Sequence, residues 1–99
     1  MVIVVGVFEV EPADRDTFLS GKLAQVTATR AEHGCIDYTY SADAADPSAV
    51  RLLERWETRA DLEAHVAALR ASPSPGSGVP SRMVEVEVYE ATPAPPLGA

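Results

Sequence analysis

The chain has 99 residues, of which 46% are hydrophobic, and it carries 15 Asp and Glu against 8 Lys and Arg, a formal net charge of −7. This length supports one domain with a single modest core, and the acidic balance excludes binding to nucleic acid, because phosphate contacts require a basic surface. Cys35 is the single cysteine, so intrachain disulfides and multi-cysteine zinc sites are excluded and a reducing cytoplasm is the expected location.

The first predicted strand covers Val2 to Val10 and is rich in β-branched residues, which is typical of a central strand covered on both faces. Gly6 and Glu9 interrupt the run, so we expect a strand and not a signal peptide or membrane span. A helix is predicted from Pro12 to Gly34, because Pro suits the first helical turn and Gly commonly ends a helix. Its predicted inward face consists of Phe18, Leu19, Leu23, Val26 and Ala31, with Lys22 among the intervening polar residues.

A hairpin is predicted next. Residues 35–41 alternate with period two, which puts Ile36, Tyr38 and Tyr40 on one face, and a turn-forming loop at 42–48 separates them from a strand at 50–57. Thr58 and Asp61 resemble a capping box that begins a second, shorter helix. A loop rich in Pro and Gly at 72–80, which either acts as a pliable lid or leaves the pocket more open, leads to a last strand at 83–90. The domain is therefore assigned to 1–91, and 92–99 form a Pro-rich tail.

The order of elements is β-α-β-β-α-β, which predicts an α+β, ferredoxin-like fold with an antiparallel sheet and both helices on one face. The other face of the sheet needs a cover, because the first strand is apolar on both sides. We therefore predict a homodimer in which two sheets pair across a twofold axis, with no membrane partner.

Four segments carry a resemblance to a known family. They resemble, in order and spacing, the antibiotic biosynthesis monooxygenase (ABM) family of dimeric α/β barrels, well over Val2 to Leu69 and loosely over the last strand. The segments are Glu32-His33-Gly34-Cys35-Ile36-Asp37-Tyr38, Asp46-Pro47, Leu53-Glu54-Arg55-Trp56-Glu57 and Leu62-Glu63-Ala64-His65.

The resemblance implies a cofactor-independent monooxygenase that oxidises a phenolic or quinol-type, polyketide-like metabolite with O₂, using no metal or flavin. Two alternatives remain open: a non-oxidative cyclase or isomerase on the same fold, and a small-molecule-binding dimer without turnover. Related phenol oxygenases carry asparagine where this chain has Leu52. Haem-degrading members carry asparagine where it has Gly6, so haem degradation is not expected.

Trp56 and His65 are the candidate catalytic residues. Strand parity places Trp56 on the same face as Val50, Leu52 and Glu54, where its indole is either a wall for a planar substrate, with the N–H donating to an oxyanion, or a core aromatic. His65 lies beside an apolar helix stripe and is either a general base or a boundary histidine.

Four further residues are candidates for contacts with the substrate. Tyr38 and Tyr40 can offer hydroxyl groups or pack as strand aromatics, and Leu52 shares the face of Trp56. Arg70, at the end of the second helix, can neutralise a phenolate or complement the helix dipole. Glu54 and Arg55 are predicted to be cross-strand or interface ion-pair partners.

Overall fold

A computed structural model describes residues 1–72 and 76–98 of the protein. Four antiparallel strands form one sheet in the order β2-β3-β1-β4. The strands are β1 (Val2–Val10), β2 (Cys35–Ala42), β3 (Ala49–Trp56) and β4 (Ser81–Glu90), and the helices are α1 (Arg15–Arg30), preceded by a 3₁₀ turn at Pro12–Asp14, and α2 (Arg59–Ala71). The predicted ferredoxin-like order, the central position of β1 and the β2–β3 hairpin are confirmed. Residues 91–98 form neither helix nor strand.

Both helices pack on one face of the sheet, which we call the helix side; the other face is the open side. Val26 of α1 and Leu62 of α2 share a hydrophobic cluster with Val2, Val4 and Trp56. Residues paired across antiparallel strands point to the same face, so the register defines four rows on the helix side. From β2 to β4 these rows are Ala42-Val50-Phe8-Met83, Tyr40-Leu52-Gly6-Val86, Tyr38-Glu54-Val4-Val88 and Cys35-Trp56-Val2-Glu90.

The inward face of α1 differs from the predicted one. Leu23 was expected to face the sheet, but 67% of its surface is exposed. The buried Phe18, Val26 and Thr29 show which side of α1 faces the sheet. Residue 22, four residues from both 18 and 26, lies on that side, and residue 23 lies about 100° further around the helix axis. Lys22 is therefore turned toward the sheet, although it was predicted on the polar face.

The start of β2 also differs. The pairing with β3 passes from Cys35–Trp56 directly to Asp37–Arg55, so Ile36 lies at a bulge and is 43% exposed. A bulge adds one residue to a strand and changes which face that residue occupies. Ile36 therefore does not share the face of Tyr38 and Tyr40, and Cys35 packs against the core in its place.

The lid proposed for the 72–80 loop lies in part outside the described residues, which omit 73–75. In the described part, Ser77 lies against Gly21 of α1 so closely that a Cβ at Gly21 would be 2.7 Å from the Ser77 Cα. Val79 packs against a cluster formed by Val10, Phe18 and Val50. Glycine is unfavourable within a helix. At position 21, however, the absence of a side chain lets Ser77 of this loop pack directly against α1. Neither described helix is long and apolar enough to cross a membrane.

Gly34 shapes the junction of α1, β2 and α2. Helix α1 ends at Arg30, earlier than predicted, and Gly34 adopts a φ of +78° in the turn that follows. A Cβ on Gly34 would overlap the Asp61 carboxyl group. That group receives a hydrogen bond from the Thr58 hydroxyl and contacts His33 Nδ1 at 2.9 Å. The contact between His33 and Asp61 joins the turn after α1 to the start of α2.

We predict that Gly34→Ala lowers the free energy of unfolding by roughly 2–3 kcal/mol, because it adds both strain at positive φ and an overlap with Asp61. Gly78→Ala is the matched control, since Gly78 has a φ of +83° but a Cβ added there would meet nothing within 4 Å. Urea unfolding of the two variants separates the effects. Equal losses of stability would show that the overlap with Asp61 contributes nothing.

Candidate functional site

Three aromatic side chains meet beneath the helices. The Trp56 and His65 ring centroids are 4.9 Å apart, and those of Tyr38 and His65 are 5.4 Å apart with the rings steeply inclined to each other. Trp56 is fully buried, and Tyr38 and His65 are 1% and 2% exposed. The Trp and His picked out from the sequence are therefore in direct contact, with Tyr38 beside them.

The indole N–H of Trp56 already has an acceptor. Its Nε1 donates a 3.0 Å hydrogen bond to Oε1 of Glu54, which is buried on the helix side two residues earlier in β3. A role for this N–H as a direct donor to a substrate oxyanion would require it to leave Glu54. In the structure it orients and stabilises a carboxylate.

Glu54 was predicted to be a cross-strand or interface ion-pair partner, and that prediction is wrong, because its carboxylate is buried and bonded to the indole. Its neighbour Arg55 points to the open side and pairs with Asp37 across the strands, with 3.5 Å between Nε and Oδ2. Burial raises the pKa of Glu54, and the Trp56 hydrogen bond and the nearby His65 only partly oppose that rise. Strand alternation could have identified Glu54 as a buried residue, because it puts Glu54 on the same face of β3 as Trp56.

His65 is held by a carboxylate from beyond the end of the other helix. Its Nδ1 lies 3.0 and 3.1 Å from the two oxygens of Glu32, in the segment after α1. In the tautomer that donates from Nδ1, the other nitrogen, Nε2, is the basic atom of the ring. The contact fixes the imidazole against Trp56 and ties α2 to the end of α1.

The two tyrosines have different surroundings. Tyr38 OH accepts a 2.8 Å hydrogen bond from Gln25 Nε2 of α1, and burial raises the pKa of the Tyr38 hydroxyl well above its ordinary value. Tyr40 is half-buried and packs against Phe8 and Phe18, with ring centroids 5.7 and 6.2 Å away. Burial raises the pKa of Tyr40 as well. Both hydroxyls therefore remain protonated at neutral pH and can act as donors.

Gly6 places no side chain on the helix side of the sheet. It is buried between Leu52 and Val86 in its row, and a Cβ there would make ordinary contacts with Leu52, at 3.5 Å and beyond. Leu52 is also buried, whereas Val86 and Val88 are about half exposed. We call this apolar part of the helix side, formed by Gly6, Leu52 and Val86, the Gly6 floor.

The structure brings together five of the six predicted site residues. Trp56, Tyr38 and Leu52 share one core cluster, Tyr40 packs against it, and His65 contacts Trp56 and Tyr38. Arg70 is apart from them, exposed on α2 beside a surface groove of about 260 Å³ that Leu62 and Val66 also line. Across residues 1–72 and 76–98, no three His, Cys, Asp or Glu side chains converge as metal ligands.

Comparisons with known proteins agree with this fold. The family model for antibiotic biosynthesis monooxygenase, ABM, matches residues 1–70. The uncharacterized protein sll1783 of Synechocystis is 28% identical over 64 residues, which span 65% of this chain and 44% of that relative. A proposed antibiotic biosynthesis monooxygenase from Deinococcus radiodurans superposes with a TM-score of 0.78 over all of both chains at 21% identity. Rv0793 from Mycobacterium tuberculosis gives 0.65 at 26% identity, over 94% of this chain and 96% of that one.

We predict that Glu54→Gln becomes more stable than the wild type as pH rises. Because the pKa of Glu54 is raised in the folded state, its ionisation costs stability above the ordinary value of 4.5, and no such cost exists below it. The unfolding free energy of the Gln variant minus that of the wild type should be constant below pH 4.5 and grow as pH rises through the raised pKa. Glu57→Gln, at an exposed position, is the control, and a difference for Glu54→Gln that does not change with pH would contradict the assignment.

Proposed function

Because the chain belongs to the antibiotic biosynthesis monooxygenase family, we propose that it is a cofactor-independent monooxygenase that oxidises a phenolic or quinol-type aromatic metabolite with O₂. The observation that carries the proposal is the buried carboxylate of Glu54, held by the Trp56 indole beside an apolar floor. This arrangement supplies the base that the chemistry needs and a surface for a flat substrate.

Glu54 suits proton abstraction from a phenol. Burial raises the pKa of its carboxyl, so it accepts a proton more readily than an exposed glutamate does. In the sheet it pairs with Val4, the helix-side residue before Gly6 on β1, so it lies diagonally across from Gly6. Diagonal neighbours on one face are about 7–8 Å apart, which is within reach of a long side chain and a ring on that floor.

The reaction follows from the anion that Glu54 creates. The substrate loses a phenolic proton to Glu54, and the electron-rich anion passes one electron to O₂. Recombination forms a carbon–oxygen bond, and proton return from Glu54 gives a hydroperoxide. The carbon then loses its remaining hydrogen as a proton while the O–O bond breaks and hydroxide leaves, so that one oxygen atom becomes a carbonyl and the other becomes water. All the electrons come from the substrate.

The neighbouring residues support this chemistry in distinct ways. Trp56 is a positioning residue, because its N–H holds the Glu54 carboxylate. His65, oriented by Glu32, is close enough to Glu54 to favour its charged form electrostatically. Tyr40 lies beside Leu52 of the Gly6 floor, and both contact the substrate ring, while Tyr38 packs behind them.

We predict that the wild type consumes O₂ with a panel of anthrones and hydroquinones and that Glu54→Gln lowers kcat by about 10²–10⁴-fold, the range for loss of a general base. Glu57→Gln should retain full activity.

Trp56→Phe should move the acidic limb of the pH–rate profile to higher pH, because Glu54 loses a donor that stabilises its charged form. A fall in kcat without such a shift would contradict the positioning role. Product formation without O₂ would support a cyclase or isomerase, and binding without turnover would support a binding protein.

We also propose that the protein acts as a cytoplasmic homodimer formed by the open side of the sheet. This face presents Ile3, Val5 and Val7 of β1 and Leu53 of β3, none of them fully buried in the single chain. A second sheet laid on this strip would remove the apolar side chains from water.

Charges beside the strip select one orientation of the two sheets. On the open side, β4 carries Glu85 and Glu87, and β3 carries Arg51 and Arg55. A twofold axis along β1 would place β4 of one protomer over β3 of its partner and so pair opposite charges. An axis across the strands would place β4 over β4 and bring like charges together.

We predict that two charge-reversed variants, Glu85→Lys/Glu87→Lys and Arg51→Glu/Arg55→Glu, are each monomeric alone and form a one-to-one heterodimer when mixed. In each variant alone, β4 and the facing β3 of the partner carry charges of the same sign, which repel. In the mixture, β4 of one variant faces β3 of the other with opposite charge, so both halves of the interface attract. Light scattering after size exclusion and native mass spectrometry measure the outcome. A monomeric wild type at micromolar concentration would contradict the dimer, and dimers of either variant alone would contradict the orientation.

A further inference from the structure

Lys22, the single lysine of the chain, is surrounded by aromatic rings. Its Nζ lies 5.3, 5.4 and 5.8 Å from the ring centroids of Phe18, Tyr40 and Phe8. Ammonium groups are attracted to the negative faces of such rings at these distances. Burial of the side chain lowers the pKa of the amine. Lys22 is therefore held against the sheet by aromatic faces.

The other basic side chains of the described chain are mostly neutralised or hydrogen-bonded. Arg51, Arg55, Arg59 and Arg82 contact carboxylates, and Arg15 and Arg30 donate to backbone carbonyls. Within residues 1–72 and 76–98, Lys22 Nζ contacts no carboxylate and donates to no protein acceptor. Every fully buried side-chain nitrogen in these residues has a hydrogen-bond partner, and Lys22 Nζ has none. Nζ is therefore not fully buried and keeps contact with solvent. Its hydrogen-bond donors are thus available to an incoming anion.

Lys22 lies beside the Gly6 floor. Phe8, one of the three rings beneath the ammonium, is the next helix-side residue after Gly6 on β1, and Tyr40 is in the same row as Gly6. Glu54 lies on the opposite side of this row, paired with Val4. The Gly6 floor therefore has a carboxylate near one side and an ammonium near the other, and Phe8 and Tyr40 are both half-buried.

We propose that Lys22 binds an anionic oxygen, a carboxylate or phenolate, of the aromatic substrate, whose rings lie against Phe8, Tyr40 and the Gly6 floor. This inference rests on the proposed function for the location of the substrate. An ammonium donates charge-assisted hydrogen bonds to such an oxygen, and the partly dry surroundings strengthen them. The chain has a net charge of −7, which repels anionic ligands. An unneutralised cation beside the Gly6 floor attracts anionic aromatic ligands to this one place.

Binding of probes tests the inference without turnover. The probes are 1-naphthoate, 2,4-dinitrophenolate and the neutral 1-naphthamide, measured by calorimetry with the full chain. Lys22→Met keeps an unbranched chain over the rings and removes the charge, and Lys22→Arg keeps the charge. Arg82→Met, which removes an exposed cation paired with Glu9, controls for net charge. Near-UV circular dichroism verifies that each variant is folded.

We expect Lys22→Met to weaken binding of at least one anion by about tenfold or more, the scale of a lost charge-assisted hydrogen bond, with little change for the amide. Lys22→Arg and Arg82→Met should bind like the wild type. The anion that is affected shows whether the site takes a carboxylate or a phenolate. Unchanged anion binding in Lys22→Met, or equal losses for the anions and the amide, would overturn the inference. If O₂ uptake fails while the charge-specific loss is seen, the oxygenase proposal falls and the role of Lys22 stands.

Discussion

A single hydrogen bond, from the Trp56 indole to the buried Glu54 carboxylate, gives the interior of this protein its chemical character. Burying a carboxylate is costly unless donors compensate, and here the compensation comes from one indole N–H and the nearby His65. The raised pKa of Glu54 follows directly from that incomplete compensation. Because the glutamate and the tryptophan are two residues apart on one strand, the sheet itself fixes their geometry, and α2 brings His65 against the indole.

The two faces of the sheet have separate tasks in this account. The helix side holds the polar groups that the proposed chemistry uses, with Glu54 and Lys22 on opposite sides of the row that contains Gly6. The open side holds an apolar strip between acidic β4 and basic β3, which suits a second copy of the chain. Residues that alternate along β3 therefore serve different parts of the proposal: Glu54 and Trp56 face the proposed site, and Arg51 and Arg55 face the proposed interface.

Period-two and helical patterns were sufficient to predict the fold, because β-branched runs and turn residues mark each element clearly. The same patterns placed Trp56 on one face of β3 with Val50 and Leu52. They could not show that Trp56 and His65 touch, because that contact depends on how α2 packs on the sheet. The patterns failed at two places where a local feature changed which side chains face the sheet. These are the bulge at Ile36 and the rotation of α1, which exposes Leu23 and turns Lys22 inward. Glu54 and Lys22 were expected on polar surfaces because charged residues are usually exposed. Strand alternation turns Glu54 toward the helices, and the packing of α1 turns Lys22 toward the sheet.

The most direct measurement of the central claim uses the single tryptophan, which gives one indole signal in a ¹H–¹⁵N NMR spectrum. A hydrogen bond to a carboxylate makes the indole proton sensitive to the charge on Glu54. We predict that this signal titrates with a midpoint above 4.5, the ordinary pKa of a glutamate, and that the titration disappears in Glu54→Gln. A Trp56 indole signal that does not respond to pH in the wild type, or that titrates unchanged in the Gln variant, would contradict it.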